Sequence, residues 1–207
     1  MTESTEALSG NEQQQLRADV YQLIAALLRA TPSPELLQFL SELDLDADQD
    51  GDIIRAWHAL KLSASTVAAD QLEDEYFKLF IGLGHGEVIP YTSWYLTGSL
   101  MDQPLALLRQ DLLQLGFSRE EDVKEPEDHL AALCEVMAYL LLEGRSSEQM
   151  SFYNRHLDTW VDKFFADLAK APSSSFYTAV AALGQSFFKL EQATFGALTL
   201  ETDVTQA

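Results

Sequence analysis

Apolar residues recur every three or four positions along almost the whole chain. One such set consists of Leu130, Leu133, Met137 and Leu140. This spacing places the side chains on one face of an α-helix, and no comparable stretch alternates with the two-residue period of a strand. The sequence therefore predicts an all-α protein. Stripes of this kind run over 16–27, 72–83, 105–115, 130–140, 153–164 and 176–187.

Prolines mark the expected helix starts, because the first helical residue needs no N–H group. On this ground Pro34, Pro104 and Pro126 are each expected to open a helix. Two stretches lack helical spacing: the acidic connector 44–52 and the glycine-rich, aromatic segment 82–104. Long structureless loops inside compact domains are uncommon and often functional. The segment 82–104 is therefore the first site candidate.

The length of 207 residues allows one domain with a well-formed core. We expect a single helical domain of two lobes, an N-terminal lobe over about 10–117 and a C-terminal lobe over about 126–197. The acidic segment SREEDVKE, 118–125, is expected to be the hinge between them, and 198–207 a frayed tail. If the hinge extends instead of folding back, lobes could exchange between two chains. The sequence is thus compatible with a monomer or a domain-swapped homodimer.

The chain is strongly acidic, because 13 basic and 33 acidic residues give a formal net charge of −20. We expect no nucleic acid partner, since binding phosphates requires a basic face. A cationic partner is favoured, because a negative field attracts and orients it. A solvated acidic surface that only maintains solubility is the alternative explanation.

The N-terminus lacks both the basic and the apolar region of a secretory signal. No apolar stretch reaches the roughly 18 to 20 residues that a membrane span requires. The only cysteine is Cys134, so an internal disulfide cannot form. These features predict a cytoplasmic protein without a membrane span.

The segment Glu125–His129, EPEDH, stands directly before an apolar run. If Pro126 is the first helical residue, Glu127 and Asp128 lie in the first turn, where the helix dipole favours negative charge by roughly 0.3 to 1 kcal/mol each. This explains the acids as an ordinary cap, but it does not explain His129 beside them. Spacing alone leaves a cap and a recognition site equally open.

Three further motifs accompany EPEDH in a fixed order: YFKLFIG at 76–82, PYTSWY at 90–95 and HLDTWVDKF at 156–164. Together they resemble the TorD/DmsD family of cytoplasmic chaperones for periplasmic molybdoenzymes, over roughly 72–190. The resemblance implies an all-helical, non-enzymatic chaperone without a cofactor of its own. Such a protein binds the twin-arginine signal peptide and the apo form of a partner reductase, delays its export and assists insertion of the molybdenum cofactor. The implied client is trimethylamine N-oxide or dimethyl sulfoxide reductase.

The resemblance also implies a peptide site, and the residues follow from the motifs. A twin-arginine signal has paired arginines followed by an apolar segment, so its receptor needs carboxylates beside an apolar groove. We expect Asp128, with Glu125 or Glu127 nearby, to take the arginine end. His129 is expected to tune release, because the charge of a histidine can change near neutral pH. The loop side of the site is expected to comprise Leu79, Phe80, Pro90, Tyr91, Ser93 and Tyr95.

Two metal-based functions compete with this interpretation. The first is a metal-dependent hydrolase that uses Asp128, His129 and Glu135. The second is an acidic helical protein that binds calcium through DADQDG at 46–51, which matches the start of an EF-hand loop. Position twelve of that loop should be a bidentate glutamate, but here it is Trp57.

Overall fold

The computed structural model describes residues 10–46, 50–119 and 123–205, with side chains as far as 196. The all-α prediction is confirmed, because these residues form helices and their only bridge is an isolated one between Tyr91 and His129. None of the helices described is long and apolar enough to cross a membrane. The elements are α1 Gly10–Arg29, α2 Pro34–Ser41, α3 Asp52–Thr66, α4 Ala69–Tyr76, a π-helix Phe77–Ile81, α5 Thr92–Thr97, α6 Gln103–Leu115, α7 Leu130–Leu142, α8 Ser146–His156, α9 Val161–Lys170 and α10 Phe176–Thr205.

The two halves of the chain share one hydrophobic core. α1 packs along α7, while α10 packs against α3 and α9. Each predicted lobe therefore contributes helices that contact the other lobe, and their buried side chains join a single cluster. The lobe boundaries and the exchange of lobes between chains stay predictions, since 120–122 of the hinge lie outside the described residues.

A buried carboxylate on α10 fixes α1 in place. Glu191 is 1% exposed, and its two oxygens accept hydrogen bonds from Arg17 at 2.6 and 2.8 Å. Tyr21 donates its hydroxyl to the same carboxylate at 2.9 Å. A buried charge is tolerated only when it is paired and hydrogen-bonded in this way. The network therefore links the first helix to the last.

A second buried carboxylate caps α10 from α4. Oε1 of Glu75 accepts the backbone N–H groups of Ser175 and Tyr177 at 2.7 and 2.8 Å, and Oε2 accepts that of Phe176 at 3.1 Å. The first N–H groups of a helix have no partner within the helix, and the helix dipole favours a negative charge at that end. Glu75 thus satisfies three donors at once.

The proline signals are correct for two helices and wrong for the third. Pro34 is the first residue of α2, and Ser33 accepts the Leu36 N–H at 3.2 Å as its N-cap. Pro104 is the second residue of α6. Pro126, however, does not open a helix, because α7 begins at Leu130.

The predicted loop 82–104 contains a helix that spacing did not reveal. α5, Thr92–Thr97, spans six residues, which is too short for a periodic apolar stripe. It ends at Gly98, whose φ of 77° is the left-handed conformation that glycine adopts without strain. Tertiary contacts hold α5 in place, including the stacking of Tyr95 on Trp160 at a ring distance of 5.3 Å.

The apolar stripe 153–164 predicts one helix, but the structure has two. α8 ends at His156 and α9 begins at Val161. The Trp160 side chain donates its indole N–H to the His156 carbonyl at 2.7 Å. That carbonyl belongs to the last turn of α8, so the indole supplies the hydrogen bond that a continued helix would have supplied.

At the C-terminus the backbone stays helical to Thr205, where a frayed tail was expected from 198. The proposed calcium loop at 46–51 includes 47–49, which lie outside the described residues.

Replacing Glu75 by alanine should lower the free energy of unfolding by about 3 kcal/mol, because three backbone donors at the start of α10 lose a charged acceptor. Urea unfolding followed by circular dichroism measures the change. Glu73→Ala is the matched control, since Glu73 is an exposed glutamate on the same helix. Equal stabilities of the two variants would show that Glu75 does not clamp α10.

Candidate functional site

The loop motif PYTSWY and the helix-start motif EPEDH lie against each other. The Thr92 N–H donates to the Asp128 carbonyl at 3.0 Å, and the Leu130 N–H donates to the Pro90 carbonyl at 2.8 Å. These two bonds flank the bridge between Tyr91 and His129. The two regions from which the sequence predicts a peptide site are therefore adjacent in space.

Asp128 holds the loop and does not face solvent. Its side chain is buried, and Oδ2 accepts the Ser93 backbone N–H at 2.9 Å and the Ser93 hydroxyl at 2.5 Å. Oδ1 is buried without a hydrogen-bond partner among the described residues. The Asp128 carboxyl group is thus enclosed in this structure, in contrast to the expectation that it takes the arginine end of a peptide. These bonds also explain why α7 starts late, because they draw Asp128 towards α5 and away from helical geometry.

His129 is the N-cap of α7 and is buried. Nδ1 accepts the Ala131 N–H at 3.1 Å, and the ring packs edge-on against Tyr91 with centroids 5.0 Å apart. Burial lowers the pKa of His129 from 6.5 to about 4, although the nearby Glu125 and Asp128 carboxylates act in the opposite direction. The imidazole is therefore neutral between pH 6 and 8. The expectation that its charge changes near neutral pH to release a peptide is wrong.

Glu125 is the most exposed acidic residue of the EPEDH motif. Its side chain is 36% exposed, and Oε1 accepts the Tyr91 hydroxyl at 2.7 Å. Burial raises the pKa of Tyr91, and the adjacent Glu125 carboxylate raises it further. The phenol therefore stays protonated and donates the hydrogen bond. Within the part of the chain that the structure describes, no lysine or arginine nitrogen lies within 4 Å of Glu125. His129 Nε2 lies 3.9 Å from Oε1 of Glu125, but because the ring is neutral the two do not form an ion pair.

Glu125 lines a large groove on the described surface. The groove has a volume of about 780 Å³ and lies between the end of α1, the last turns of α6 and one face of α7. Six charged side chains line the groove, and we call them its rim: Arg29, Arg109, Arg119, Glu125, Glu127 and Glu135. The apolar side chains of the lining, which we call its floor, include Leu112, Leu113, Phe117, Ala132, Val136 and Tyr139.

Two rim carboxylates are held by arginines of the chain itself. Arg109 donates Nε and Nη2 to Oε2 of Glu127 at 3.0 and 2.8 Å. Arg29 donates the same pair of nitrogens to the two oxygens of Glu135 at 2.9 and 2.7 Å. Partial burial acts to raise the pKa of Glu127, but the hydrogen bonds from Arg109 and from its own backbone N–H, together with the charges of Arg109 and Arg119, outweigh burial and lower the pKa. Glu127 is thus ionised and occupied.

The remaining predicted site residues do not line this groove. Leu79, Pro90 and Ser93 are buried, and Phe80 packs between aromatic rings of the core. Tyr95 lines a separate cavity of about 300 Å³, where its hydroxyl donates to Asp167 at 3.0 Å. The expectation that Tyr95 lines one groove together with the acids is therefore wrong.

Sequence reasoning missed the floor of the groove. Ala132, Val136 and Tyr139 are spaced three and four residues apart and form a second apolar stripe on α7, beside the buried one. Leu113 on α6 lies beside the apolar stripe 105–115 and is 76% exposed. The second stripe was visible in the sequence, but only packing shows which stripe faces the core.

The hydrolase alternative is not supported by the geometry. Asp128 is bonded to Ser93, His129 caps α7, and Glu135 is held by Arg29. Among the residues described, no group of three or more histidine, cysteine or acidic side chains is arranged to hold a metal ion.

Comparisons with known proteins agree with the motifs. The family model for the nitrate reductase delta subunit matches residues 14–166. A chaperone protein TorD from Shewanella pealeana is 28% identical over 204 residues, covering 90% of this chain and 92% of the relative. A TorD from Histophilus somni is 30% identical over 146 residues, covering 70% and 74%. The chain belongs to this family of TorD-type chaperones. The prediction of a chaperone rather than an enzyme is confirmed.

The fold of this TorD-family chaperone also has a counterpart among solved structures. A crystal structure described as a redox enzyme maturation protein from Archaeoglobus fulgidus matches with a TM-score of 0.58. The match covers 91% of this chain and 99% of that one at 16% sequence identity. At this identity the similarity concerns the fold alone.

Replacing His129 by asparagine should flatten the pH dependence of stability between pH 6.5 and 4. The folded-state pKa of about 4 lies below the ordinary 6.5. The contribution of the neutral ring is therefore complete above pH 6.5 and is lost, by about 3 kcal/mol, as the pH falls towards 4. Asparagine keeps an N-cap acceptor but has no such proton equilibrium.

Urea unfolding at several pH values between 7 and 4 measures this effect. His58→Asn is the control, because His58 is not among the buried residues and lies on α3, away from the candidate site. An unchanged slope in the His129 variant would contradict the burial of a neutral ring.

Proposed function

We propose that this protein is a cytoplasmic chaperone that binds the twin-arginine signal peptide and the apo form of a molybdoenzyme in the groove beside EPEDH. Binding delays export while the molybdenum cofactor is inserted into the client. The client is a trimethylamine N-oxide or dimethyl sulfoxide reductase, as the motif resemblance implies. The observation that carries the proposal is Glu125, an accessible carboxylate without a lysine or arginine partner among the described residues, at the rim of an apolar groove.

The charges of the groove suit an arginine pair. Glu125 and Glu127 are two residues apart and both line the groove, although Glu127 is paired with Arg109 in the free protein. A guanidinium group donates to a carboxylate through two parallel N–H groups, which an ammonium group cannot do. The net charge of −20 adds a long-range attraction for a cationic ligand.

The floor of the groove suits the apolar segment that follows the arginines. Leu113, Phe117 and Tyr139 are exposed or half-buried in the free protein, so a ligand can cover them. The volume of about 780 Å³ falls within the range of ligand pockets, roughly 300 to 1,000 Å³. An apolar helix laid in such a groove and one charge pair suffice for a micromolar complex, which needs about −8 kcal/mol.

Asp128 and Ser93 act indirectly in this proposal. Their buried hydrogen bonds fix the loop 90–95 against the start of α7. Tyr91 then reaches Glu125 and holds its carboxylate at the rim. Asp128 and Tyr91 thus position the acid that contacts the ligand. The predicted site residues divide into contacts, which are Glu125 and Glu127, and residues that place them.

Replacing Glu125 by glutamine should weaken binding of a twin-arginine peptide about five- to tenfold, because one charged hydrogen-bonded pair is lost. Isothermal titration calorimetry measures the affinity for the peptide and for a version with lysines at the two arginine positions. Glu73→Gln is the control, an exposed glutamate on α4 outside the groove. Equal affinities of wild type and the Glu125 variant would rule out Glu125 as an arginine contact.

Replacing Leu113 by glutamine should weaken binding about three- to tenfold without loss of stability, since this side chain is 76% exposed before binding and becomes buried under the ligand. Leu107→Gln is the matched control, because Leu107 is an exposed leucine on the same helix and does not line the groove. If both variants bind like wild type, the apolar segment lies elsewhere.

A further inference from the structure

We infer, on the basis of the proposed function, that Arg109 is an internal competitor at the second arginine subsite and sets the affinity of the groove. In the free protein its guanidinium group occupies the Glu127 carboxylate. A ligand arginine must displace it before Glu127 can be used. The groove therefore has one open carboxylate, Glu125, and one that is closed by the chain itself.

The contact geometry carries this inference. Two nitrogens of Arg109 donate to a single oxygen of Glu127, at 3.0 and 2.8 Å. Arg119 approaches the other oxygen only to 3.9 Å, beyond hydrogen-bond distance. The Glu127 side chain is 17% exposed, whereas that of Arg109 is 50% exposed. Glu127 is therefore largely enclosed, whereas Arg109 lies on the solvent side of the pair, where a ligand arginine can replace it.

When a ligand arginine replaces Arg109, the number and type of hydrogen bonds to Glu127 do not change. A ligand guanidinium offers the same donors as Arg109, so the hydrogen bonds of Glu127 are remade when they are exchanged. Arg109 can then turn into water, because half of its side chain is already exposed. The cost is limited to opening the resident pair, and pairs of this exposure are worth only a small free energy.

The size of the effect follows from population arithmetic. A ligand that needs the open state binds with its intrinsic affinity multiplied by the fraction of molecules that are open. Removing Arg109 makes that fraction one. For a partly exposed ion pair this corresponds to a gain of about two- to fivefold. The gain applies only to ligands that use Glu127.

The test measures peptide affinity by calorimetry in wild type, Arg109→Gln, Glu127→Gln and the double variant. Two peptides are used, a twin-arginine signal peptide and the same peptide with both arginines replaced by glutamine. Arg55→Gln is the control, because Arg55 pairs with Asp50 and Asp52 outside the groove and carries the same charge. Thermal unfolding verifies that each variant is folded.

We expect Arg109→Gln to bind the twin-arginine peptide about two- to fivefold more tightly, with no gain for the glutamine peptide and none for Arg55→Gln. The gain should vanish when Glu127 is also replaced, which shows that it acts through that carboxylate. Arginine-dependent binding that is unchanged or weaker in Arg109→Gln would overturn the competitor role and leave the proposed function intact. Binding by wild type that ignores the arginines would overturn both.

Discussion

The hydrogen bonds between Asp128 and Ser93 are the contact on which the rest of the site depends. They join a loop and a helix start that are separated by 35 residues in the chain, and both partners are buried. Because the loop is fixed there, Tyr91 lies against His129 and reaches Glu125. The enclosed Asp128 side chain thus links the loop, the buried histidine and the more exposed acid that lines the groove.

Buried acids have the same structural purpose elsewhere in the molecule. Glu75 accepts hydrogen bonds from three backbone N–H groups at the start of α10, and Glu191 accepts hydrogen bonds from the Arg17 and Tyr21 side chains of α1. Each of these acids is fully bonded, as buried charges must be. Asp128 differs, because its Oδ1 has no partner among the described residues. Among the described residues, this is the only buried side-chain oxygen or nitrogen without a hydrogen-bond partner, and it lies at the candidate site.

The groove is nearly balanced in charge although the chain as a whole is strongly acidic. Three arginines and three glutamates share its rim, out of only 13 basic residues in the sequence. Basic residues are therefore concentrated where they can hold carboxylates in place. In the free protein, Arg109 holds the Glu127 carboxylate and Arg29 holds that of Glu135.

The sequence by itself determined the helical class, the starts of α2 and α6, and the motifs that mark the family, because apolar periodicity, proline at a helix start and ordered motifs are local properties. The sequence also indicated that the segment Glu125–His129 belongs to a candidate binding site. Only the tertiary structure decided their surroundings, since burial and partners come from distant parts of the chain. Ser93 encloses Asp128, a dry environment keeps His129 neutral, and Arg109 from another helix occupies Glu127. The floor of the groove could not be predicted for the same reason. α7 has two apolar stripes, and only the packing of α1 against α7 decides which of them is buried and which lines the groove.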